Sequence, residues 1–588
     1  MKRFAALYAR LDDSRATSAK VEAMRAYFAE APAADAAWGL YFLSGQRLKR
    51  LIAPTLLRSW ISDATGLAPA IVEECYAHVG DLAETLALLL DRAARPQPPI
   101  ERGLAEWVAW LLALREQEVE AQRTALLDVW ARLPLDECFL FNKLLTGALR
   151  VGVSSGLAAR ALALHAGLDE TLIAQRLMGE WLRVASTARS RHERPAMNGR
   201  AGGGEDGLPA AVKGDSLANH PDSAAQAFAA LLAPGSAEAH PSQPYPFCLA
   251  SPIEDAPDAI WDAGLPSGLG PVADYLAEWK WDGIRGQLIR RAGQTFLWSR
   301  GEELLNGRFP EIEAAAAGLP DGTVLDGEIL AHDGAAVLPF AKLQTRIGRK
   351  TVGRKLLAEA PVAFVAYDLI EWLHEDWRGR SLAERRAQLE TIVASSAAPR
   401  LKLSEPVSAD SWEALAASRA EARERGVEGL MLKARDSRYQ TGRKRGAWWK
   451  WKLAAMSIDC VLLYAQAGHG RRANLYTDYT LAVWEGPNPG EGLLLPVAKA
   501  YSGLTDAELT RMDSWIKKHT REKFGPVRSV EASADAGQVF EIAFEGIQAS
   551  SRHKAGVALR FPRIARWRTD KPAREANTLA DLKRLLPR

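Results

Sequence analysis

Apolar positions in the first third of the chain recur at helical spacing. In Trp107-Trp110-Leu111-Leu114, for example, residues three and four apart share one face. Ala, Leu, Glu and Arg dominate residues 1–190 and strand-like alternation is scarce, which predicts an all-α region. The periodicity then stops. Residues 191–244 contain the run Gly199-Arg200-Ala201-Gly202-Gly203-Gly204-Glu205-Asp206-Gly207, followed by Pro, Ser and Asn, and predict a flexible linker. The apolar patch Ala227-Phe228-Ala229-Ala230-Leu231-Leu232 predicts one short helix within it. Residues 245–454 mix short strands, such as Val324-Leu325-Asp326 and Val362 to Tyr367, with helices such as Ser381 to Ser395, an α+β pattern. In residues 455–588, Cys460 to Tyr464 and Val539 to Phe544 read as strands and Thr505 to Lys518 as one helix, which predicts a small five-stranded β-barrel.

Composition sharpens this only in places. A chain of 588 residues, 48% of them hydrophobic, is long enough for several cored domains. Its net charge of +3 does not by itself point to nucleic acid, but the distribution of charge does. Between Lys433 and Lys452 lie Arg435, Arg438, Arg443, Lys444, Arg445 and Lys450 against a single acid, Asp436, interleaved with Tyr439, Trp448, Trp449 and Trp451. Basic groups beside aromatic faces suit phosphates and sugar–base surfaces. Cys75, Cys138, Cys248 and Cys460 are scattered without zinc-ligand spacing, which argues against a structural zinc and fits a reducing compartment. The apolar run Thr85 to Leu90 is far shorter than the roughly 20 residues that span a bilayer. The first residues, Met1-Lys2-Arg3-Phe4-Ala5-Ala6-Leu7, lack a long apolar core and meet Asp12 and Asp13 at once, so no signal peptide, no membrane and a cytoplasmic location are expected.

The stretch Glu278-Trp279-Lys280-Trp281-Asp282-Gly283-Ile284-Arg285 has the spacing Lys-x-Asp-Gly-x-Arg. A lysine amine that loses its proton can attack phosphorus and carry the phosphoryl group covalently. Arg285 has the planar fork to clamp phosphate or ribose oxygens, and Asp282-Gly283 suits a tight turn. Alone, these residues fit an exposed charged hairpin as well. Downstream, in order, come Ser299-Arg300-Gly301, Leu325-Asp326-Gly327-Glu328, Ala366-Tyr367-Asp368-Leu369 and Glu428-Gly429-Leu430-Met431-Leu432-Lys433. Trp449-Lys450-Trp451-Lys452, Arg560-Phe561-Pro562-Arg563 and Arg568-Thr569-Asp570-Lys571 follow. The ordered set resembles the motifs of the covalent nucleotidyltransferases: DNA ligases, RNA ligases and mRNA capping enzymes. It is most similar to the bacterial ATP-dependent DNA ligases of three-domain form. Phe141 to Ser154 resembles part of the helical DNA-binding domain of those enzymes.

The resemblance implies a helical DNA-binding domain over 1–190, an adenylation domain over 245–454 and an OB-fold barrel over 455–588. It implies that Lys280 attacks the α-phosphorus of ATP and carries AMP. Glu278, Arg285, Arg300 and Tyr367 would line the AMP site, with Tyr367 against the adenine. Glu328 would hold the ribose hydroxyls or, with Glu428, Mg²⁺ or Mn²⁺. Lys433, Lys450 and Lys452 would neutralise phosphates. Arg568 and Lys571 would grip the β and γ phosphates only during adenylation, through a swing of the barrel. Lys143 and Arg150 would meet the DNA backbone. The expected substrate is nicked duplex DNA, in repair, replication or recombination, sealed by a monomer associated with the nucleoid. An RNA ligase, another covalent nucleotidyltransferase or a catalytically idle scaffold are the alternatives. The extra helical region and the retained nucleophile argue against them. The missing cysteine zinc finger favours ATP over NAD.

Overall fold

The computed structural model describes residues 1–182 and 221–586, apart from 15, 49–50, 80, 92–97, 148, 150–151, 180, 234–240, 254–268, 348, 350–351, 469–474, 502 and 525–526. The boundary near 190, the Gly199–Gly207 run and Arg150 lie outside the described residues.

The N-terminal part is helical from Lys2–Asp13 to Glu170–Arg176. Local chemistry sets several helix ends. Ser154 and Asp169 accept backbone N–H groups at helix starts, and Gly66, Gly147 and Gly167 close helices in the left-handed conformation. The Trp107 periodicity resolves as the helix Leu104–Arg115, with Trp107, Leu111 and Leu114 buried and the Trp107 ring 5.0 Å from Phe141. The apolar run at Thr85 lies inside the helix Leu82–Asp91. No helix among the described residues is long and apolar enough to cross a membrane.

The expected linker is not all slack. The helix Pro221–Leu232 packs on the helix Ala33–Leu43 and buries Ala224, Phe228 and Leu231 in the helical core, with Phe228 6.2 Å from Phe28. Arg176 Nη1 fixes its end by donating to the carbonyls of Leu231 (2.6 Å) and Ala233 (2.9 Å). Beyond it, residues 241–245 are strapped to the next unit. Trp298 Nε1 donates to Ser242 O (2.5 Å), Arg291 Nη1 to Gln243 O (2.7 Å), and Tyr245 Oη to Glu371 Oε2 (2.7 Å).

Two larger sheets carry the middle unit, beside a small parallel pair of Cys248–Leu249 with Gly442–Arg443. A four-stranded sheet runs in the order Ser251–Pro252, Trp448–Lys452, Gly429–Ala434, Tyr275–Trp279. A six-stranded sheet is built on Ile284–Arg291, Thr323–Ala331 and Val362–Trp372. The helix Leu382–Ser396 starts with a reciprocal Ser381–Glu384 cap. It is pinned to the Val362–Trp372 strand by Arg385, whose guanidinium grips Asp368 through two bonds of 2.7 and 2.9 Å, both side chains fully buried. Such a pair fixes register more than it adds stability.

The C-terminal unit is β-rich, with the helix Asp506–His519 capped by Thr505. Of the expected five-stranded oligonucleotide-binding barrel, the β-rich character is what the described residues bear out. Seven strands make one branched sheet, hydrogen bonding does not close it among the described residues, and Gly546–Ala549 pairs with Val557–Arg560 as a separate hairpin. The cause is the strand Met456–Ala467. It pairs with Tyr476–Trp484 along one edge, while on the other Val539–Phe544 takes its first half and Val527–Val530 its second. Register shifts at Leu462/Tyr464 and Gln466/Ala467 bend it between these partners.

Candidate active site

The Tyr275–Trp279 strand runs antiparallel to Gly429–Ala434, which runs antiparallel to Trp448–Lys452. Just past the first strand, Lys280 N–H donates to Gly429 O and Glu428 N–H donates to Lys280 O, each at 2.9 Å. The backbone thus fixes Lys280 and Glu428 opposite each other, and their side chains meet. Lys280 Nζ lies 2.8 Å from Glu428 Oε2, and Lys452 Nζ lies 3.1 Å from the same oxygen. Gly429 has φ +137°, and a Cβ there would sit 2.3 Å from Trp451 O, so only glycine lets these strands close on the lysine. Gly283 plays a similar part: a Cβ would lie 2.5 Å from Ile329 O, where the turn after Lys280 presses on the other sheet.

On that second sheet Arg285 stands opposite Glu328. The Glu328 carboxyl makes no hydrogen bond or ion pair among the described residues. Burial pushes it up to about 8, although Lys280 and Arg285 pull it down. Glu428 goes the other way. Burial opposes its charge, but Lys280 and then Lys452 outweigh burial and hold its carboxyl below the ordinary range. One carboxyl is therefore ionised and paired, while its neighbour is desolvated and has no hydrogen bond or ion pair among the described residues. That neighbour fits a ribose hydroxyl or a hard divalent cation. Among the described residues no three potential ligands cluster, so the protein alone offers a metal few oxygens. Mg²⁺ suits such a site, because it takes one or two carboxylates and completes its shell with phosphate oxygens and water.

Beneath the lysine is a buried floor of ions and rings. Glu278 is 2% exposed and pairs through Oε2 with Lys433 Nζ (2.5 Å) and through Oε1 with Arg386 Nη1 (2.8 Å). Lys433 Nζ lies 4.1 Å from the Tyr367 ring centre and 4.5 Å from that of Trp448. Arg285, read from sequence as a clamp for phosphate or ribose, is engaged inside this floor. Its Nε and Nη2 donate to Asp326 (3.1 and 2.7 Å) and its Nη1 to Cys248 O (2.7 Å). Fully buried Asp326 also accepts from Tyr367 (3.1 Å) and Tyr439 (2.6 Å) hydroxyls. Tyr439 and Arg386 were not singled out as site residues from sequence. One stood among the basic-run aromatics and the other on a helix face, and neither had a distinguishing spacing.

The other candidates divide. Lys450 and Lys452 alternate with buried Trp449 and Trp451 on one strand. Burial, then Arg443, Lys452 and Lys280, holds the Lys450 ammonium below its usual range, the mark of a crowded cationic site. Arg300 is exposed at the adjoining hairpin, its N–H donating to Arg285 O at 2.9 Å. Lys143 is buried, not offered to a ligand: its Nζ pairs with Asp81 at 2.6 Å and lies 5.1 Å from the Phe139 ring. Arg568 and Lys571 are not brought to Lys280. Both pair with Asp459, at 3.0 and 2.7 Å, and Arg568 also with Asp570 at 2.9 Å.

A different surface of the C-terminal unit faces the lysine. Arg560 forms a two-bond pair with Asp282, its Nη2 2.8 Å from Oδ1. Glu545 Oε2 lies 3.0 Å from Lys452 Nζ. Arg560 was visible in sequence as part of Arg-Phe-Pro-Arg, whereas nothing in the sequence singled out Glu545.

Three family models match consecutive stretches: DNA ligase N terminus over residues 1–163, ATP dependent DNA ligase domain over 269–452, and ATP dependent DNA ligase C terminal region over 472–571. A probable DNA ligase of Koribacter versatilis is 30% identical over 95% of this chain and 92% of its own length. Another, of Opitutus terrae, is 31% identical over 99% of this chain, which spans 62% of that relative. A solved structure called Pmar-Lig_PreS3, 15% identical, shares the fold over 96% of this chain and 99% of its own, with a TM-score of 0.59. With Lys280 held against Glu428 and three ligase models matched in order, the chain belongs to the ATP-dependent DNA ligase family.

Proposed function

We propose that this chain seals 3′-hydroxyl/5′-phosphate nicks in duplex DNA through lysyl-AMP and DNA-adenylate. The observation that carries the reading is Lys280 Nζ at 2.8 Å from Glu428, with Lys452 on the same oxygen and the turn at Gly283 pressed against the strand that bears Glu328. The Lys280 amine gives up a proton and its lone pair forms a P–N bond to the α-phosphorus of ATP. The bond to the bridging oxygen breaks and pyrophosphate leaves. A 5′-phosphate oxygen of the nick then displaces the lysine, and the 3′-hydroxyl displaces AMP. Lys452 and Lys450 supply fixed positive charge where negative charge builds on the transferring phosphorus. Tyr367, partly exposed with Lys433 Nζ 4.1 Å from its ring centre, would stack the adenine. Mg²⁺ held by Glu328 and Glu428 would polarise phosphate oxygens. In this reading the β-rich unit is of OB type, and the helical unit grips the duplex backbone.

The test is incubation with α-labelled ATP and α-labelled GTP. Covalent label from ATP and not GTP is expected, and Lys280→Ala is expected to take none while still joining a pre-adenylated nick. Normal labelling of Lys280→Ala would end the assignment.

A further inference from the structure

The hairpin Gly546–Arg560 presents two opposite charges to the lysine site at once. Glu545, just before the hairpin, donates its N–H to Arg560 O at 3.0 Å, so the two residues are cross-strand neighbours. From this pair Arg560 reaches Asp282, and Glu545 reaches Lys452. Lys452 therefore lies between Glu428 Oε2 at 3.1 Å and Glu545 Oε2 at 3.0 Å, with both glutamates and the lysine partly buried. A second anion on Lys452 matters because this ammonium is one of the groups proposed above to take nucleotide phosphate. With Glu428 already on this ammonium, a second carboxylate there adds like-charge repulsion to any phosphate that approaches it in a partly desolvated site.

We propose that Glu545 is a positioning residue that competes with nucleotide phosphates for Lys452, so that the C-terminal unit in this arrangement holds ATP off and withdraws when ATP binds. The inference rests on the ligase reading. It adds that the arrangement seen here is one the enzyme must leave in order to be adenylated. Arg568 and Lys571, turned away and paired with Asp459, agree with this. Burial works against the Lys452 charge, but Glu428 and Glu545 more than restore it, so the ammonium stays charged and the contest is between anions.

When a binding-competent state is only partly populated, apparent affinity falls by that fraction. Weakening the Glu545–Lys452 contact raises the fraction open to ATP. A half-exposed ion pair shifts such a balance by about two- to fivefold. The experiment uses the full chain freed of AMP, as wild type, Glu545→Gln and Glu545→Asp. Self-adenylation is followed over a range of ATP concentrations, and joining of a pre-adenylated nick at sub-saturating DNA. For Glu545→Gln, KM for ATP should fall about two- to fivefold while joining of the pre-adenylated nick slows by a similar factor; Glu545→Asp should lie near wild type. Opposite signs in the two assays are what a merely structural role cannot produce. If Glu545→Gln matches wild type in both, or loses both in parallel, the inference fails and the ligase reading stands. A wild-type chain that takes no label from ATP overturns that reading and this inference with it.

Discussion

A lysine side chain carries one charge on a long apolar stem, and burying the charge is costly unless an acid meets it. Lys143 is met by Asp81, the residue whose carboxylate also accepts the Glu84 N–H near the start of the helix Leu82–Asp91. Its work is therefore to join two helices. Lys143→Ala should lower stability by roughly 1–3 kcal/mol, the range for losing a charged hydrogen bond at a partly buried pair. A reduced thermal midpoint with an unchanged salt slope of DNA binding would bear this out; a shallower slope at unchanged stability would return Lys143 to the DNA surface. Glu328 gives a pH-dependent expectation. Its folded-state carboxyl titrates at about 8, above its ordinary value of 4.5, so between these limits the folded chain keeps a proton that the unfolded chain has released. Its favourable contribution is complete below the lower limit and is lost as pH rises through the upper one. Glu328→Gln removes that loss. In nucleotide-free protein the variant should gain on wild type as pH rises, by up to a few kcal/mol at about 1.4 kcal/mol per unit. Parallel melting curves for the two chains across that window would count against the assignment.

At the scale of elements, legibility followed locality. The helix Leu382–Ser396 was readable because its cap, Ser381 and Glu384, is written within four residues. The strand Val539–Phe544 was readable from its apolar run. Whether a strand's free edge pairs is not readable, because that depends on distant partners, and so the branching of the C-terminal sheet was not foreseen. The same limit hid the docking of Pro221–Leu232, since its apolar face says nothing of which surface receives it. Among site residues, the ordered motifs can be read from the chain, but the partner of each cannot. Arg285 and Lys143 are turned inward by Asp326 and Asp81, carboxylates far from them in sequence. The docked helix has its own test. Phe228→Ala should cost about 3 kcal/mol, typical of an aromatic removed from a core, and lower the thermal midpoint while ATP labelling at room temperature persists. Unchanged stability would mean that the helix is not part of the helical core in solution.

For the molecule as a whole, the lysine site is shared between two units. The C-terminal unit touches it through Arg560 and Glu545 while Arg568 and Lys571 pair elsewhere. If those two cations meet pyrophosphate only in a second arrangement, Arg568→Ala or Lys571→Ala should slow self-adenylation, by about tenfold or more, and leave joining of pre-adenylated nicks near wild type. Equal losses in both assays would remove the need for a second arrangement.

The strap and the docked helix together set a leash. Ala233 is held to the helical unit by Arg176, and Pro241 begins the segment fixed to the catalytic sheet through Ser242 and Gln243. Eight Cα–Cα steps separate residue 233 from residue 241, and a fully extended chain spans at most about 28 Å over them. However long the glycine-rich run before it, that run lies on the helical side of the leash and adds nothing to its reach. The helical unit can pivot about this point, but its anchor cannot retreat beyond the leash without first breaking the bonds of Arg176 or of Trp298 and Arg291. If the helical unit grips a duplex as proposed, any opening that admits it would have to keep within the reach of this short tether.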